Sequence, residues 1–173
     1  MKFKNVQKLV TAALMAALVF VATLLIQIPI PATGGYVNFG DGVVILCGVL
    51  LGPVYGGLAA GVGAMLTDLI SGYAVYIPAT FVIKGLMAVA AYFLVRRLGS
   101  RFIAFLASSF CAEILMVLGY FAYECFALGF GKAAAASLLP NLAQGAAGIV
   151  IACALLTPIS KNQKLMHFLN KGE

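Results

Sequence analysis

The chain consists of long apolar runs separated by short polar connections, and this alternation constrains its fold more than any other feature. The runs cover residues 9–28, 42–52, 55–70, 77–95, 102–123 and 137–157. A helix of about 20 apolar residues is long enough to cross the hydrocarbon core of a bilayer. Hydrophobic residues make up 64% of the sequence and charged residues only 9%, which is typical of a membrane protein. We therefore expect an all-α protein that forms a single transmembrane domain over residues 1–173.

The number of spans depends on the runs at residues 42–52 and 55–70, which form either one long helix kinked at Pro53 or two short spans. Basic residues of membrane proteins concentrate on the cytoplasmic side. The amino-terminal lysines and the arginine patch at residues 96–101 can both be cytoplasmic only if an even number of spans separates them. Two short spans satisfy this condition, and the basic carboxyl-terminal tail then lies on the same side. The sequence thus predicts six transmembrane helices in a prokaryotic plasma membrane, with both termini in the cytoplasm.

Charge and motif patterns argue against several other functions. The formal charge of +6 comes mainly from basic residues that flank apolar runs, which indicates a membrane rather than nucleic acid as the surrounding partner. The four cysteines lie apart from one another and the single histidine, His167, lies in the tail, so we expect no disulfide, metal site or cofactor in this chain. The sequence contains no G-x-x-x-x-G-K-[ST] motif, so any active transport takes its energy from an ion gradient or from another subunit.

Polar side chains recur at helical spacing within the later runs. A charge in hydrocarbon costs at least ~2.5–3.5 kcal/mol, so such residues usually face a protein interior, a partner or a polar ligand. Three helix faces carry them: Glu113, Tyr120 and Glu124; Thr80 and Lys84; and Ser137, Asn141, Gln144 and Gly148. All three faces fall at a similar depth in the outer half of the predicted bundle. They predict a polar cavity beneath the outer surface.

Each of these residues also has a purely structural interpretation. Lys84 can pair with Asp68 as a bridge between two spans, and Glu113 can be a protonated, hydrogen-bonded carboxyl group. Asn141 and Gln144 can hold helices together, Asp41 can cap the second helix, and Glu124 can be solvated at the water boundary.

Two further segments are candidates for contacts with a ligand or a partner. The first outer connection, residues 29–41, combines prolines and glycines with Tyr36, Asn38 and Phe39, and we interpret it as a lid over the cavity. In the first span, two alanine pairs at a spacing of four residues form a small-residue face on which another helix can pack: Ala12 with Ala16, and Ala13 with Ala17. Such faces serve packing inside one chain more often than contacts with another subunit.

The central third of the chain contains a series of motifs that resembles a known family. The motifs are Gly40-Asp41-Gly42, Leu51-Gly52-Pro53-Val54-Tyr55-Gly56-Gly57, Gly61-Val62-Gly63, Thr67-Asp68-Leu69-Ile70-Ser71-Gly72-Tyr73 and Pro78-Ala79-Thr80-Phe81-Val82-Ile83-Lys84-Gly85-Leu86. In this order they resemble the substrate-binding S components of energy-coupling factor (ECF) transporters, closest to the riboflavin-transporter-like group. The later spans agree with this family in layout only.

The resemblance implies a function and a set of partners. Such a protein binds a vitamin or vitamin precursor from outside and works with a transmembrane T component and two ATP-binding-cassette ATPases, which bind the ATP. The family's alanine motif maps to Ala12, Ala13, Ala16 and Ala17 and contacts the T component, while the connection at residues 29–41 closes over the substrate. We expect a pyridoxine-like compound or hydroxymethylpyrimidine, with riboflavin or another vitamin as alternatives. The expected substrate-binding residues are Tyr36, Asn38, Phe39, Tyr76, Thr80, Lys84, Glu113, Tyr120, Asn141 and Gln144.

A second function remains open on the residues alone. A self-sufficient ion-coupled transporter or channel could use Asp68, Lys84 and Glu113 as a relay. The chain lacks an obvious inverted repeat, however, and it is short for an alternating-access transporter unless it dimerises. A membrane enzyme with Glu113 as general acid or base has little support, because the sequence offers no accompanying nucleophile, metal cluster or phosphate-binding loop.

Overall fold

The computed structural model describes residues 2–99 and 102–161, with the side chains described from residue 6 onward, and most of these residues are helical. The main elements are α1 (Lys2–Leu25), β1 (Gln27–Ile30), β2 (Gly35–Asn38), α2 (Asp41–Ser71), α3 (Ile77–Leu98), α4 (Phe102–Ala122) and α5 (Leu138–Lys161). Short helical turns precede α3 at Ala74–Tyr76, follow α4 at Tyr123–Ala127, and precede α5 at Gly131–Ser137. The expected cytoplasmic placement of Arg101 and of the tail with Lys164, His167 and Lys171 lies outside the described residues.

Five helical segments of the described chain are long and apolar enough to cross a membrane. They are Val6–Leu25, Asp41–Ser71, Ala74–Leu98, Phe102–Ala127 and Gly131–Lys161. Large apolar side chains face outward along them, including Leu14 at 67% and Leu25 at 76% exposure, while Lys84 is among the largest fully buried side chains. Apolar groups outside and charged groups inside are the arrangement that a lipid solvent favours. The expectation of an all-α, multi-pass membrane protein is confirmed.

The segment from Asp41 to Ser71 reverses direction at Gly52, which has non-helical angles of φ 80° and ψ −179°. A Cβ atom added to Gly56 would overlap the carbonyl oxygen of Cys47 and lie 2.8 Å from the Cα atom of Gly48. In a straight helix, residues 47 and 56 would be roughly 13 Å apart along the axis. The segment therefore forms two arms, residues 41–51 and 53–71, that fold back on each other. Glycine suits the left-handed φ at the reversal, and the following Pro53 has no backbone N–H to continue the helical ladder.

Small residues allow the helix backbones to approach closely. A Cβ atom on Gly48 would overlap the backbone of Ala88 in α3, and one on Gly61 would lie 2.7 Å from the Phe81 carbonyl oxygen. Such contacts hold membrane helices together by van der Waals packing. The glycines at a spacing of four residues thus serve contacts inside this chain.

The predicted alanine face on α1 is divided between two surroundings. Ala12 is buried and Ala16 packs against the core, with the Ala16 carbonyl group close to Gly63 of α2. Ala13 and Ala17 are exposed. Ala12 is therefore covered by this chain in this conformation, and Ala13 and Ala17 are open to a neighbour. Contact of the four alanines with a partner remains a prediction.

The connection at residues 29–41, interpreted from the sequence as a lid, contains most of a β-hairpin. Strands β1 and β2 pair antiparallel with Gln27 opposite Asn38 and Ile30 opposite Gly35. A tight turn joins them, in which the Gly34 N–H donates to the Ile30 carbonyl oxygen at 3.0 Å and Gly34 has φ 67°. Two strands of four residues are marginally stable on their own, so this hairpin depends on its contacts with the helices.

Candidate ligand-binding cavity

A cavity lies between the β1–β2 hairpin and the helices. Its empty volume is about 420 Å³ when the open solvent at its mouth is counted, whereas the space that the centre of a water-sized sphere can reach inside it is about 20 Å³. The cavity is therefore narrow in this conformation, with room for about one water molecule. Its lining includes residues from the hairpin and from all five helices: Thr23, Ile30, Gly35, Tyr36, Asn38, Ala64, Asp68, Tyr76, Thr80, Lys84, Tyr120, Glu124, Asn141 and Gln144.

Most of the residues expected to bind substrate lie around this cavity. Eight of the ten line it: Tyr36, Asn38, Tyr76, Thr80, Lys84, Tyr120, Asn141 and Gln144. The helix faces inferred from the sequence therefore do meet at one place. Contact with a ligand remains a prediction for each of them.

Phe39 and Glu113 do not line the cavity. Phe39 follows strand β2 at a bend in the chain and is half-buried. Glu113 lies beside α5, where its Cβ atom would be 3.2 Å from a Cβ placed on Gly145 and its carboxylate would overlap one placed on Gly148. It is 3% exposed, and both of its carboxylate oxygens lack a hydrogen-bond partner among the described residues.

A buried ion pair joins three helices beside the cavity. The Lys84 ammonium group contacts Asp41 Oδ1, and the Gln144 side-chain amide donates to Asp41 Oδ2 at 2.6 Å. The side-chain oxygen of Gln144 in turn accepts a hydrogen bond from the backbone N–H of Asn38 at 2.7 Å. This network ties the end of the hairpin to α2, α3 and α5.

Two structural interpretations from the sequence are corrected by this network. Lys84 pairs with Asp41 and not with Asp68, because the reversal at Gly52 places the first arm of α2 against α3. Asp41 is the first residue of α2 but makes no capping hydrogen bond, and the cap position is held by Gly40. The Asp41 carboxylate is already occupied by Lys84 and Gln144.

Side-chain contacts hold the hairpin against the carboxyl-terminal end of α2 and the residues that follow it. Tyr36 donates from its hydroxyl group to Asp68 Oδ1 at 2.6 Å, and its ring lies 4.5 Å from that of Tyr73. The Gln27 amide donates to the Ser71 hydroxyl group at 3.1 Å. Burial and the nearby Asp68 carboxylate raise the pKa of the Tyr36 phenol above its ordinary value. Tyr36 therefore remains a hydrogen-bond donor at any physiological pH.

Glu124 is buried rather than solvated. It is 2% exposed and lies in the π-helical turn that extends α4. Its carboxylate accepts a hydrogen bond from the Ser137 hydroxyl group and lies 3.1 Å from the hydroxyl oxygen of Tyr76, which is also 3.0 Å from the Thr33 carbonyl oxygen. Glu124 thus links the turn after α4 to the turn before α5 through Ser137, and to the hairpin through Tyr76. The sequence had suggested that Glu124 contacts water.

The sequence reasoning overlooked six lining residues: Thr23, Ile30, Gly35, Ala64, Asp68 and Glu124. For Glu124 a signal existed, because its spacing places it on the same face of α4 as Tyr120. For Asp68 the signal was its charge within an apolar run, but that charge was interpreted from the sequence as an ion-pair partner of Lys84. The other four carry no charge and have ordinary side chains for a membrane helix or turn.

Comparison with known proteins adds a family and two relatives. Residues 3–161 match the family described as "ECF-type riboflavin transporter, S component". An uncharacterised protein from Pyrococcus woesei is 39% identical over 133 residues, which cover 77% of this chain and 88% of that protein. A protein named thiamine precursor transporter HmpT, from Lactococcus lactis subsp. cremoris, is 30% identical over 170 residues, 98% of this chain and 96% of its own length.

Proposed function

This chain belongs to the family of ECF-type riboflavin transporter S components, and we propose that it captures a vitamin precursor with a single heteroaromatic ring and a hydroxyl group. Hydroxymethylpyrimidine is the first choice and a pyridoxine-like compound the second, ahead of riboflavin or another vitamin. The family is one of transport subunits and not of enzymes, so no catalytic residue is assigned.

The cavity beneath the hairpin is the observation that carries the proposal. The tyrosine rings of Tyr36, Tyr76 and Tyr120 offer apolar faces for a flat ring, while Asn141 offers an amide group for its polar edge. The enclosed space is only about 20 Å³, so the cavity must widen for any ligand, and a single-ring compound requires less widening than a three-ring flavin with a long polyol chain. The relative named thiamine precursor transporter HmpT supports a pyrimidine of this kind.

The proposed topology is six spans in the cell membrane with both termini cytoplasmic and the cavity facing outward. The reversal at Gly52 supports two spans within α2. Arg96 and Arg97 in the last turn of α3 support a cytoplasmic end there. With this orientation the hairpin covers the cavity from the outer side.

The proposed partners are a transmembrane T component and two ATP-binding-cassette ATPases that bind and hydrolyse ATP. Membership of the S-component family supports this assembly. The chain itself is proposed to hold no metal or cofactor and to bind the vitamin-type ligand only as substrate. On α1 the exposed Ala13 and Ala17 are the alanines available to a neighbouring subunit.

Ligand binding by the purified protein tests the proposed function. In mild detergent, titration calorimetry with hydroxymethylpyrimidine, pyridoxine and riboflavin should show the tightest binding for a single-ring compound. Asn141→Ala should weaken it, while Thr157→Ala should not, because the Thr157 hydroxyl group donates only to the Cys153 carbonyl oxygen of its own helix. Binding of none of the three compounds would overturn the substrate assignment. Uptake by the chain alone, driven by a proton gradient in vesicles, would favour the self-sufficient transporter instead.

A further inference from the structure

Asp68 has one oxygen atom that nothing in the described chain uses. Its side chain is buried with 1% exposure and lines the cavity. Oδ1 accepts the hydrogen bond from Tyr36, but Oδ2 has no hydrogen-bond partner among residues 2–99 and 102–161. A buried polar group without a partner is costly, and in a native protein it calls for a specific explanation.

Two of the donors that line the cavity are already engaged. Lys84 contacts Asp41, and the Gln144 amide donates to Asp41. The Thr80 hydroxyl group lies 3.0 Å from the hydroxyl oxygen of Tyr120 and is near enough to the Asp68 carboxylate to interact with it, but it completes no hydrogen bond to Oδ2. Oδ2 is therefore available to a donor that enters the cavity.

The charges around the cavity restrict what that partner can be. Two carboxyl groups, Asp68 and Glu124, line it, while its one lining cation, Lys84, is held by the Asp41 carboxylate. A ligand carboxylate or phosphate would meet these acids without a free cation to bind it. A ligand N–H group, neutral or cationic, would instead donate the missing hydrogen bond to Asp68 Oδ2. Hydrogen bonds in which one partner is charged are stronger than those between neutral groups.

We propose that Asp68 selects the ligand by accepting a hydrogen bond at Oδ2 from an amino group or a protonated ring nitrogen. This inference rests on the proposed function and narrows it from single-ring heteroaromatic compounds to those with an amine at the ring edge. An analogue with an ether oxygen in place of the amine, or a methyl group in place of an aminomethyl group, has no N–H group to donate at that position. Such an analogue leaves Oδ2 unpaired, so the site rejects it.

The test compares pairs of ligands that differ only in this group. The probes are 4-amino-5-hydroxymethyl-2-methylpyrimidine and its 4-methoxy analogue, followed by pyridoxamine and 4-deoxypyridoxine, in which a methyl group replaces the aminomethyl group. We expect the wild-type protein to bind the amino member of at least one pair roughly 10- to 100-fold more tightly. Because this comparison uses the unaltered protein, it holds even if a variant fails to fold.

Asp68→Asn then assigns the selectivity to this residue. Its amide can offer N–H as well as oxygen at nearly the same shape, so the preference for the amino ligand should shrink to a few-fold or reverse. The control is Thr157→Ala, which removes a hydroxyl group that donates only to the Cys153 carbonyl oxygen of its own helix, away from the cavity lining, and which should keep the preference. Thermal unfolding in detergent checks that both variants are folded.

The outcomes separate this inference from the proposed function. Equal affinity for both members of each pair, in wild type, would overturn the inference and leave the proposed function standing, with water as the partner of Oδ2. An undiminished preference in folded Asp68→Asn would also overturn it. Binding of neither pair would overturn the proposed function and this inference with it.

Discussion

Asp41 and Asp68 are two buried aspartates of the same segment, yet their surroundings differ in one decisive respect. Asp41 is 0% exposed and both of its oxygens have partners inside the protein, Lys84 and Gln144. Asp68 is 1% exposed, and only one of its oxygens has a partner, Tyr36. Burial alone therefore does not distinguish a structural charge from one that is available to a ligand. For these two residues, the difference lies in the completeness of the hydrogen bonding together with the position of Asp68 in the cavity lining.

The comparison also explains why the two residues should respond differently to mutation. Removing one member of a completed pair leaves a charge stranded in a medium of low dielectric constant. Neutralising a carboxylate that lacks one hydrogen bond weakens its remaining contacts, but it also removes the cost of an unsatisfied charged oxygen, so the two effects on stability oppose each other. The expected losses of stability therefore range from several kcal/mol for variants of the Lys84–Asp41 pair to almost none for Asp68→Asn.

The largest effect is expected from Lys84→Met, which keeps the length of the side chain but leaves Asp41 unpaired. Loss of one partner from a buried pair typically costs ~3–5 kcal/mol, so little folded protein should survive solubilisation. The measurement is the thermal unfolding midpoint in detergent. The double variant Asp41→Asn with Lys84→Met should recover much of the loss, because no charge is then stranded. A single variant as stable as the wild type would show that the pair is not structural.

A smaller effect is expected from Tyr36→Phe, which removes the hydrogen bond to Asp68 and frees a second carboxylate oxygen. A hydrogen bond to a charged group contributes ~1.5–3 kcal/mol, and its loss should loosen the hairpin and speed ligand dissociation. Stopped-flow measurement of the dissociation rate gives the readout. Tyr73→Phe is the matched control, since it keeps the ring contact with Tyr36 and removes a hydroxyl group elsewhere. Equal rates in the two variants would contradict the role of the bond.

Asp68→Asn should change stability by less than about 1 kcal/mol in the absence of ligand, because Tyr36 can still donate to the amide oxygen. Asp41→Asn, the same chemical change at the completed site, should be far more destabilising because it strands Lys84. Thermal unfolding of the two variants side by side makes the comparison. If both lose the same stability, the distinction between a completed and an open carboxylate is wrong.

The smallest effect is confined to alkaline solution and concerns Tyr36. Burial and Asp68 raise the pKa of this phenol in the folded protein above its value in the unfolded chain. Its contribution is therefore fully present below a pH of about 10 and is lost as the pH rises above that value. The thermal midpoint of the wild type should fall more steeply above that pH than the midpoint of Tyr36→Phe. Parallel curves would rule out the linkage.

Local sequence patterns were sufficient for the helices and for much of the cavity. Apolar runs identify segments that lipid can solvate, and helical spacing correctly brought Thr80, Tyr120, Asn141 and Gln144 toward one place. These inferences need only the geometry of a single helix and the cost of polar groups in hydrocarbon. The same spacing argument shared by Ala12 and Ala13 could not decide which alanine pair faces inward, because that depends on the neighbouring helix.

Partners that lie far apart in the chain were beyond such patterns. Lys84 has two aspartates within electrostatic reach, and only the fold of α2 decides that Asp41 receives the contact. The β1–β2 hairpin has four-residue strands whose stability comes from contacts with the helix ends, so its own residues carry a weak signal. Glu124 became a buried group only because Ser137 and Tyr76 surround it.

The turn at Gly52 has a consequence for how this site can change over time. Residues 41 and 68 would stand roughly 40 Å apart on an uninterrupted helix, whereas here both lie within reach of Lys84. One segment, α2, thus supplies both the aspartate of the buried ion pair and the aspartate proposed to select the ligand. A substitution at position 52 that shifts either arm would disturb both at once, whereas replacements around Asp68 can redirect specificity while the ion pair stays intact.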